Sequence, residues 1–197
     1  NHLPMDVFFS PEMEDVRNKM MMGEELQTCK KCYYLESQGA DSPRISKTTT
    51  RTKVAEPQLH SVQIKLRIFG NSCNLSCYMC TPYNSSTRTK ELKDANINPY
   101  EFNFNNLHFE AKPSKKHFDN MLQNILDNIK YIGCIYITGG EPFLLPRHYD
   151  FLNRIPEEHA EHIDIRYDTN MTVLEYKGKS IFETLKRFKS FVFMVSA

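Results

Sequence analysis

The sequence predicts an α/β fold with parallel strands, and two observations lead to this prediction. From residue 62 onward, segments with the period-two alternation of strands take turns with segments that carry an apolar stripe at helical spacing. This alternation is typical of parallel strands joined by helical crossovers. Polar and glycine-rich segments also follow the strands directly, at the carboxyl ends where functional groups of such sheets gather.

Four strands are predicted, the first from the alternation of Val62, Ile64, Leu66 and Ile68 with polar residues. Four strands are half of an eight-stranded barrel or two-thirds of a six-stranded one, so we expect a partial barrel. The strands are expected at residues 62–68, 131–138, 163–169 and 191–195, with helices that begin near Ser114, Arg147 and Ser180. Residues 84–113 are polar with little periodicity and are predicted to be a long loop or insertion.

The first 53 residues are predicted to be a separate, helical, cysteine-bearing segment and its linker. A helix is expected over residues 10–23, capped by Ser10 and ended by Gly23. Cys29 and Cys32 follow, and then a polar linker over residues 38–53. The core domain is expected over residues 54–197.

Composition and charge narrow the class of protein. The chain has 197 residues and a formal net charge of +1, which gives no overall attraction to nucleic acid or anionic membranes. The chain has no apolar run of membrane-spanning length and no secretory pattern, so we expect a cytoplasmic protein without membrane or nucleic-acid partners. Because the sequence starts at Asn1 and stops after a strand-like run, it is interpreted as a fragment.

Five of the six cysteines form two tight clusters, which favours metal or redox chemistry over disulfides in a reducing compartment. Cys73, Cys77 and Cys80 supply three thiolates from one loop, the ligand type of iron–sulfur clusters. A four-iron cluster held this way keeps one iron open to a small molecule. The alternative is a structural zinc site that pairs Cys77 and Cys80 with Cys29 and Cys32, which leaves Cys73 unused.

Two motifs carry a resemblance to a known family. The segment Cys73-Asn-Leu-Ser-Cys77-Tyr-Met-Cys80 resembles the C-x3-C-x2-C signature of the radical S-adenosylmethionine superfamily, and Gly139-Gly-Glu-Pro142 resembles its GGEP motif. The resemblance covers residues 62–197. It implies a partial radical S-adenosylmethionine barrel and a [4Fe–4S] cluster whose open iron binds S-adenosylmethionine. Reductive cleavage of that molecule would give a 5′-deoxyadenosyl radical. In such enzymes the cofactor itself carries out the difficult bond cleavage.

The resemblance also implies roles for single residues. The backbone of Gly139 and Gly140 would approach S-adenosylmethionine and accept from its ammonium group, and Glu141 would add negative charge there. For the glycine pair a simple tight turn is the alternative. The other implied contacts with S-adenosylmethionine are Pro142, Met79, Asn170 and Ser196, with core packing the alternative for Met79 and loop capping for Asn170 and Ser196. Cys134 lies mid-strand and is expected to be a small buried hydrophobe.

A second resemblance concerns residues 5–32, which are similar to the twitch or SPASM-type segment of several radical enzymes, although that segment usually follows the barrel. It implies that Cys29 and Cys32 bind an auxiliary iron–sulfur cluster; a zinc half-site or an idle redox pair stays open. The family further implies a flavodoxin- or ferredoxin-type electron donor and a peptide or protein substrate. The competing functions are activation of a partner enzyme by a glycyl radical and a zinc-binding recognition module without catalysis.

Overall fold

The structure is a computed structural model that describes residues 3–48, 58–82, 84–98, 115–176 and 178–196. The chain forms two compact units, Asn1–Gln58 and Leu59–Ala197. The predicted boundary after residue 53 falls within residues 49–57, which lie outside the described residues. Within the described part of the chain, no helix combines the length and the apolar character needed to cross a bilayer.

The first unit is helical. The helix expected over residues 10–23 is confirmed, because the Ser10 hydroxyl accepts from the amide of Met13 at 3.4 Å and Gly23 takes a φ of 78° after the last turn. Its helices are α1 Pro4–Phe8, α2 Pro11–Met21, α3 Lys30–Ser37 and α4 Pro43–Thr48, with a 3-10 turn at Gln27–Cys29 before α3.

Part of the predicted linker is ordered, because α4 lies within it. The Glu36 carboxylate at the end of α3 accepts hydrogen bonds from the Ser42 hydroxyl and the Arg44 guanidinium. The Arg44 guanidinium also lies 5.0 Å from the centre of the Tyr33 ring. Side chains of the predicted polar linker therefore connect α4 to α3 through hydrogen bonds.

The second unit contains a four-stranded sheet in the order β1-β2-β3-β6, with every neighbouring pair parallel. The predicted α/β class and its four parallel strands are confirmed. A short antiparallel pair, β4 with β5, was not predicted. The elements are β1 Val62–Leu66, α5 Ser86–Asp94, α6 Lys115–Asp127, β2 Ile132–Ile137, α7 Pro146–Asn153, α8 Glu157–Ala160, β3 Asp164–Thr169, β4 Glu175–Tyr176, β5 Lys179–Ser180, α9 Ile181–Leu185 and β6 Ser190–Val195, with 3-10 turns at Ile129–Tyr131 and Pro142–Leu144.

The two faces of this sheet differ in polarity. On one face, Ile135, Ile137 and Ile165 are fully buried, and the predicted apolar stripe of α6 is buried through Phe118, Leu122 and Ile125. The opposite face, called the open face below, contains charged side chains that stay accessible to solvent. It is defined by Lys65, Tyr136, Arg166, Asp168 and Met194. Cys134 is 3% exposed, as predicted for a small buried side chain in a strand.

A buried histidine lies in the core behind β3. The His148 side chain is fully buried, and its Nε2 is 2.6 Å from the hydroxyl of Tyr167. Burial lowers the pKa of His148 to about 3, because the charged form would lose its hydration. The folded protein therefore holds this side chain neutral.

We expect His148 to make stability depend on pH. The unfolded state binds a proton near pH 6.5 whereas the folded state does so only near pH 3. The free energy of unfolding is therefore complete above pH 6.5 and falls by about 1.4 kcal/mol per pH unit below it for this one group. Denaturant unfolding at several pH values should show a shallower slope between pH 6 and 4 for His148→Gln than for the unsubstituted protein. Equal slopes would show that His148 does not govern this dependence.

Candidate functional site

The three predicted cluster ligands lie in one loop that follows β1. All three are free thiols, and the amide of Cys80 donates to the carbonyl of Cys77 at 2.9 Å. Burial raises the pKa of the Cys80 thiol, and the neighbouring thiols of Cys73 and Cys77 raise it further. The positive charge of Arg67 acts in the opposite direction. The three sulfurs therefore share one electrostatic environment at the carboxyl edge of the sheet.

The first turn of α5 holds the cysteine loop. The Ser86 hydroxyl accepts from the amide of Cys73 at 3.2 Å, and the Thr87 hydroxyl donates to the Cys73 carbonyl. The hydroxyl of Ser85 donates to the carbonyl of Leu75 at 3.0 Å and also caps the helix. The prediction of a loop over residues 84–113 is therefore wrong for residues 86–94. Residues 99–113 of the predicted loop lie outside the described residues.

The glycine pair after β2 packs its backbone directly against the cysteine loop. Gly139 has a φ of 145°, a conformation that L side chains rarely adopt. A Cβ on Gly140 would lie 2.2 Å from the carbonyl oxygen of Ser72 and 2.6 Å from the carbonyl carbon of Asn71. The amide of Glu141 donates to the same Ser72 oxygen at 2.7 Å. The Gly139–Pro142 turn is thus in backbone contact with the residues directly before Cys73, and only glycine fits at this contact.

The Glu141 side chain is fully buried and accepts three hydrogen bonds from protein groups. Its carboxylate oxygens accept from the Thr169 hydroxyl at 2.7 Å, the Asn170 amide at 2.8 Å and the Phe143 amide at 3.3 Å. These bonds join the turn after β2 to the end of β3. The side chain therefore has a structural role that the sequence prediction did not include, while its predicted contact with S-adenosylmethionine remains a prediction.

We expect Glu141→Gln to destabilise the fold. The amide replaces one accepting oxygen by a donor, so either Thr169 or Asn170 loses its acceptor inside the protein. A buried group without its partner costs about 1–3 kcal/mol, which a denaturant titration measures directly. Glu175→Gln is the matched control because Glu175 is exposed on β4, and it should leave the midpoint unchanged. A Glu141→Gln protein as stable as the unsubstituted one would contradict the structural role.

The remaining predicted contacts lie around the same edge with different exposure. The side-chain nitrogen Nδ2 of Asn170 is 3.8 Å from the Cys73 sulfur and donates to the Asn74 side chain at 3.1 Å. Met79 is 92% exposed, which excludes core packing as its role within the described part of the chain. Pro142 is buried in the 3-10 turn, and the amide of Ser196 donates to the Thr169 carbonyl at 3.0 Å. Sequence reasoning did not identify Ser85, Ser86 and Thr87.

The donor set is of the type that binds iron–sulfur clusters. Cys73, Cys77 and Cys80 are three free thiols in one hydrogen-bonded loop, and thiolates are the usual ligands of such clusters. Within the described ranges, no three His, Cys, Asp or Glu side chains are arranged to hold one metal ion.

The second cysteine pair lies in the first unit, where the 3-10 turn meets α3. Cys29 ends the turn and occupies the N-cap position of α3, and Cys32 lies in the first turn of that helix. Residues three apart share one face of a helix, and both thiols are partly exposed. The predicted proximity of the two side chains is consistent with this arrangement.

One comparison with known proteins decides the family. The sequence profile of the radical SAM superfamily matches residues 68–197, about two-thirds of the chain, and the match includes both motifs and the strands β2, β3 and β6. The chain belongs to the radical SAM superfamily. Radical SAM membership implies an iron–sulfur enzyme, and members of the superfamily typically use a [4Fe–4S] cluster and S-adenosylmethionine. The matched residues do not include Cys29 and Cys32, so the match gives no support to the twitch or SPASM assignment. No curated protein and no solved structure shows a significant match to the chain.

Proposed function

We propose that this radical SAM protein cleaves S-adenosylmethionine reductively and uses the resulting 5′-deoxyadenosyl radical to modify a peptide or protein. The observation that supports the proposal is the family match over residues 68–197, in which the GGEP turn contacts the backbone directly before Cys73 at the carboxyl edge of the sheet. When bound, a [4Fe–4S] cluster would supply the electron and the open iron site. A flavodoxin- or ferredoxin-type protein would deliver that electron.

The roles of the protein groups follow from their positions. The thiolates of Cys73, Cys77 and Cys80 would hold the cluster, and the hydrogen bonds from α5 fix the backbone that presents them. The backbone of Gly139 and Gly140 would accept from S-adenosylmethionine beside the cysteine loop, while the space at their missing side chains is taken by the backbone of residues 70–72. Glu141 keeps this turn in place from within the protein.

The test is anaerobic reconstitution with iron and sulfide, followed by reduction with dithionite in the presence of S-adenosylmethionine. The protein should be brown, with thiolate–iron absorbance at about 400 nm. Chromatography should show that 5′-deoxyadenosine and methionine are formed together. A colourless protein that retains zinc after purification would favour the recognition module and reject the proposal.

The zinc module is not favoured by the family match. The profile match instead covers the cysteine loop as part of a catalytic superfamily.

We also infer an auxiliary iron–sulfur site at Cys29 and Cys32. The inference is supported by the spacing of the two thiols at the start of α3 and by the ligand chemistry of such pairs. Relatives with auxiliary clusters often modify peptides or proteins, which is the reason for that substrate class. Further ligands for this cluster would come from residues other than these two.

We expect the double variant Cys29→Ala/Cys32→Ala to lose one cluster equivalent. If both clusters are cubanes, the reconstituted unsubstituted protein should contain about eight irons and the variant about four. Cleavage of S-adenosylmethionine should remain measurable in the variant, because its three main-cluster ligands are intact. Unchanged iron content would reject the auxiliary cluster and leave the pair with a structural or zinc-binding role.

A further inference from the structure

The open face presents two cations on either side of a tyrosine. The strand register places Lys65 beside Tyr136 and Tyr136 beside Arg166, so the three side chains form one row across β1, β2 and β3. Lys65 and Arg166 stand two strand spacings apart, about 10 Å. Both are exposed, whereas Leu66, Ile165 and Tyr167 on the other face are buried. The row is therefore accessible to a ligand.

The tyrosine between the cations is held in a fixed position. Its hydroxyl donates to a carboxylate oxygen of Asp168 at 2.6 Å, and the Lys65 ammonium lies 4.3 Å from the centre of its ring. Burial and the hydrogen bond to Asp168 raise the pKa of Tyr136 to about 12, so the phenol stays protonated and keeps donating. The Asp168 carboxylate, two residues after Arg166 on the same face, is thus engaged by the phenol.

Neither cation forms an ion pair within the described part of the chain. Asp164 and Asp168 lie on the same face, two residues before and after Arg166, and each has another partner. Asp168 accepts from Tyr136, and Asp164 accepts from Ser190 and pairs with Lys189. The Lys65 ammonium and the Arg166 guanidinium therefore keep donors that an anionic group can accept from.

The row lies on the same sheet as the turn after β2. Arg67 follows Lys65 by two residues, towards the carboxyl end of β1. Its Cγ lies 4.0 Å from the position of a Cβ on Gly139. A molecule held at the row and extending towards the carboxyl ends of the strands would therefore approach the turn that carries Gly139.

We propose that the open face binds the substrate through an anionic group, a carboxylate or a phosphate, held between Lys65 and Arg166. This inference rests on the proposed function, because the bound anion is taken to be part of that enzyme's substrate. The guanidinium of Arg166 presents a planar fork that matches either oxyanion, and Lys65 adds a point charge. The Tyr136 hydroxyl donates to Asp168, and this bond holds the tyrosine ring between the two cations.

The test is isothermal titration calorimetry of the cluster-reconstituted protein at low ionic strength, with S-adenosylmethionine present so that its own site is filled. The probes are citrate for carboxylates and pyrophosphate for phosphates. Lys65→Gln/Arg166→Gln is compared with Lys90→Gln/Lys186→Gln, which removes the same charge from two exposed lysines outside the open face. All substituted side chains are exposed, so folding should be retained, and thermal unfolding checks this.

We expect at least one probe to bind the unsubstituted protein and the control variant with equal affinity. The Lys65→Gln/Arg166→Gln variant should bind it about tenfold or more weakly, because two charge-assisted contacts are lost. Arg166→Lys, which keeps the charge but loses the fork, should give an intermediate affinity. Tighter binding of citrate would identify a carboxylate substrate, and tighter binding of pyrophosphate a phosphorylated one.

Three results would overturn the inference: no binding of either probe, equal affinity in the double variant, or an equal loss in the control. Cleavage of S-adenosylmethionine is measured on the same samples to separate the two proposals. If the protein cleaves S-adenosylmethionine but anion binding does not depend on Lys65 and Arg166, the proposed function stands and the anion site is rejected. If anion binding depends on these two residues but no cleavage is seen, the site stands and the proposed function is rejected.

Discussion

Replacing any one of Cys73, Cys77 and Cys80 by Ala is expected to abolish cleavage of S-adenosylmethionine. Each of the three thiolates would bind a different iron, and two thiolates hold a cubane cluster poorly. The loss should therefore be complete rather than graded. Formation of 5′-deoxyadenosine after reduction, measured together with iron content, reports both the chemistry and its cause.

The matched control for these variants is Cys134→Ala. Cys134 is buried in β2, away from the loop in sequence, so the same substitution there removes a thiol without removing a predicted ligand. It should retain iron and cleavage, with at most a modest loss of stability from the small cavity. Cleavage that survives in one of the three loop variants would show that the cluster is held differently.

The second large effect is expected from Gly140→Ala. The added Cβ would lie 2.2 Å from the Ser72 oxygen and 2.6 Å from a backbone carbon of Asn71. These are backbone atoms, so relief requires the cysteine loop and the turn after β2 to separate. We expect cluster incorporation and cleavage to fall at least tenfold, because displacements of about 1 Å in a reacting geometry can cost a hundredfold.

Thr138→Ala is the control for Gly140→Ala, since it alters a position two residues earlier in the same turn without adding an atom at the contact. Iron content and cleavage should stay close to those of the unsubstituted protein. Gly140→Ala protein with normal iron content and normal cleavage would show that the backbone contact is not needed for activity, even though it is present in the fold.

The main strands and the site motifs could be predicted because their signals are local. The alternation of Val62, Ile64 and Leu66 follows directly from a strand with one buried face. The cysteine spacing and the two glycines are visible in the chain itself. The meeting of these motifs was predictable as well, because carboxyl ends of parallel strands share one edge.

Helix α5 could not be found by periodicity, because none of its residues is buried. Its position is set by caps and by hydrogen bonds from Ser85, Ser86 and Thr87 to the cysteine loop. The serine cap was a usable signal, but an apolar stripe was missing. The bonds of Glu141 were equally hidden, because they reach Thr169, which is 28 residues away along the chain. The pairing of Lys65 with the Tyr136 ring also depends on register, which composition does not reveal.

Because Glu141 bonds to Thr169, the glutamate of the GGEP motif also has a structural role. Selection at this position then acts partly on folding, so the glutamate can persist in a related protein that has lost the chemistry. The two side chains are also energetically coupled, since they share a hydrogen bond. In a double-mutant cycle, Thr169→Val should cost less once Glu141→Gln is in place. Part of its cost should remain, because the Met171 amide also donates to the Thr169 hydroxyl. Coupled changes at the two positions would then be tolerated better than the sum of the single changes suggests.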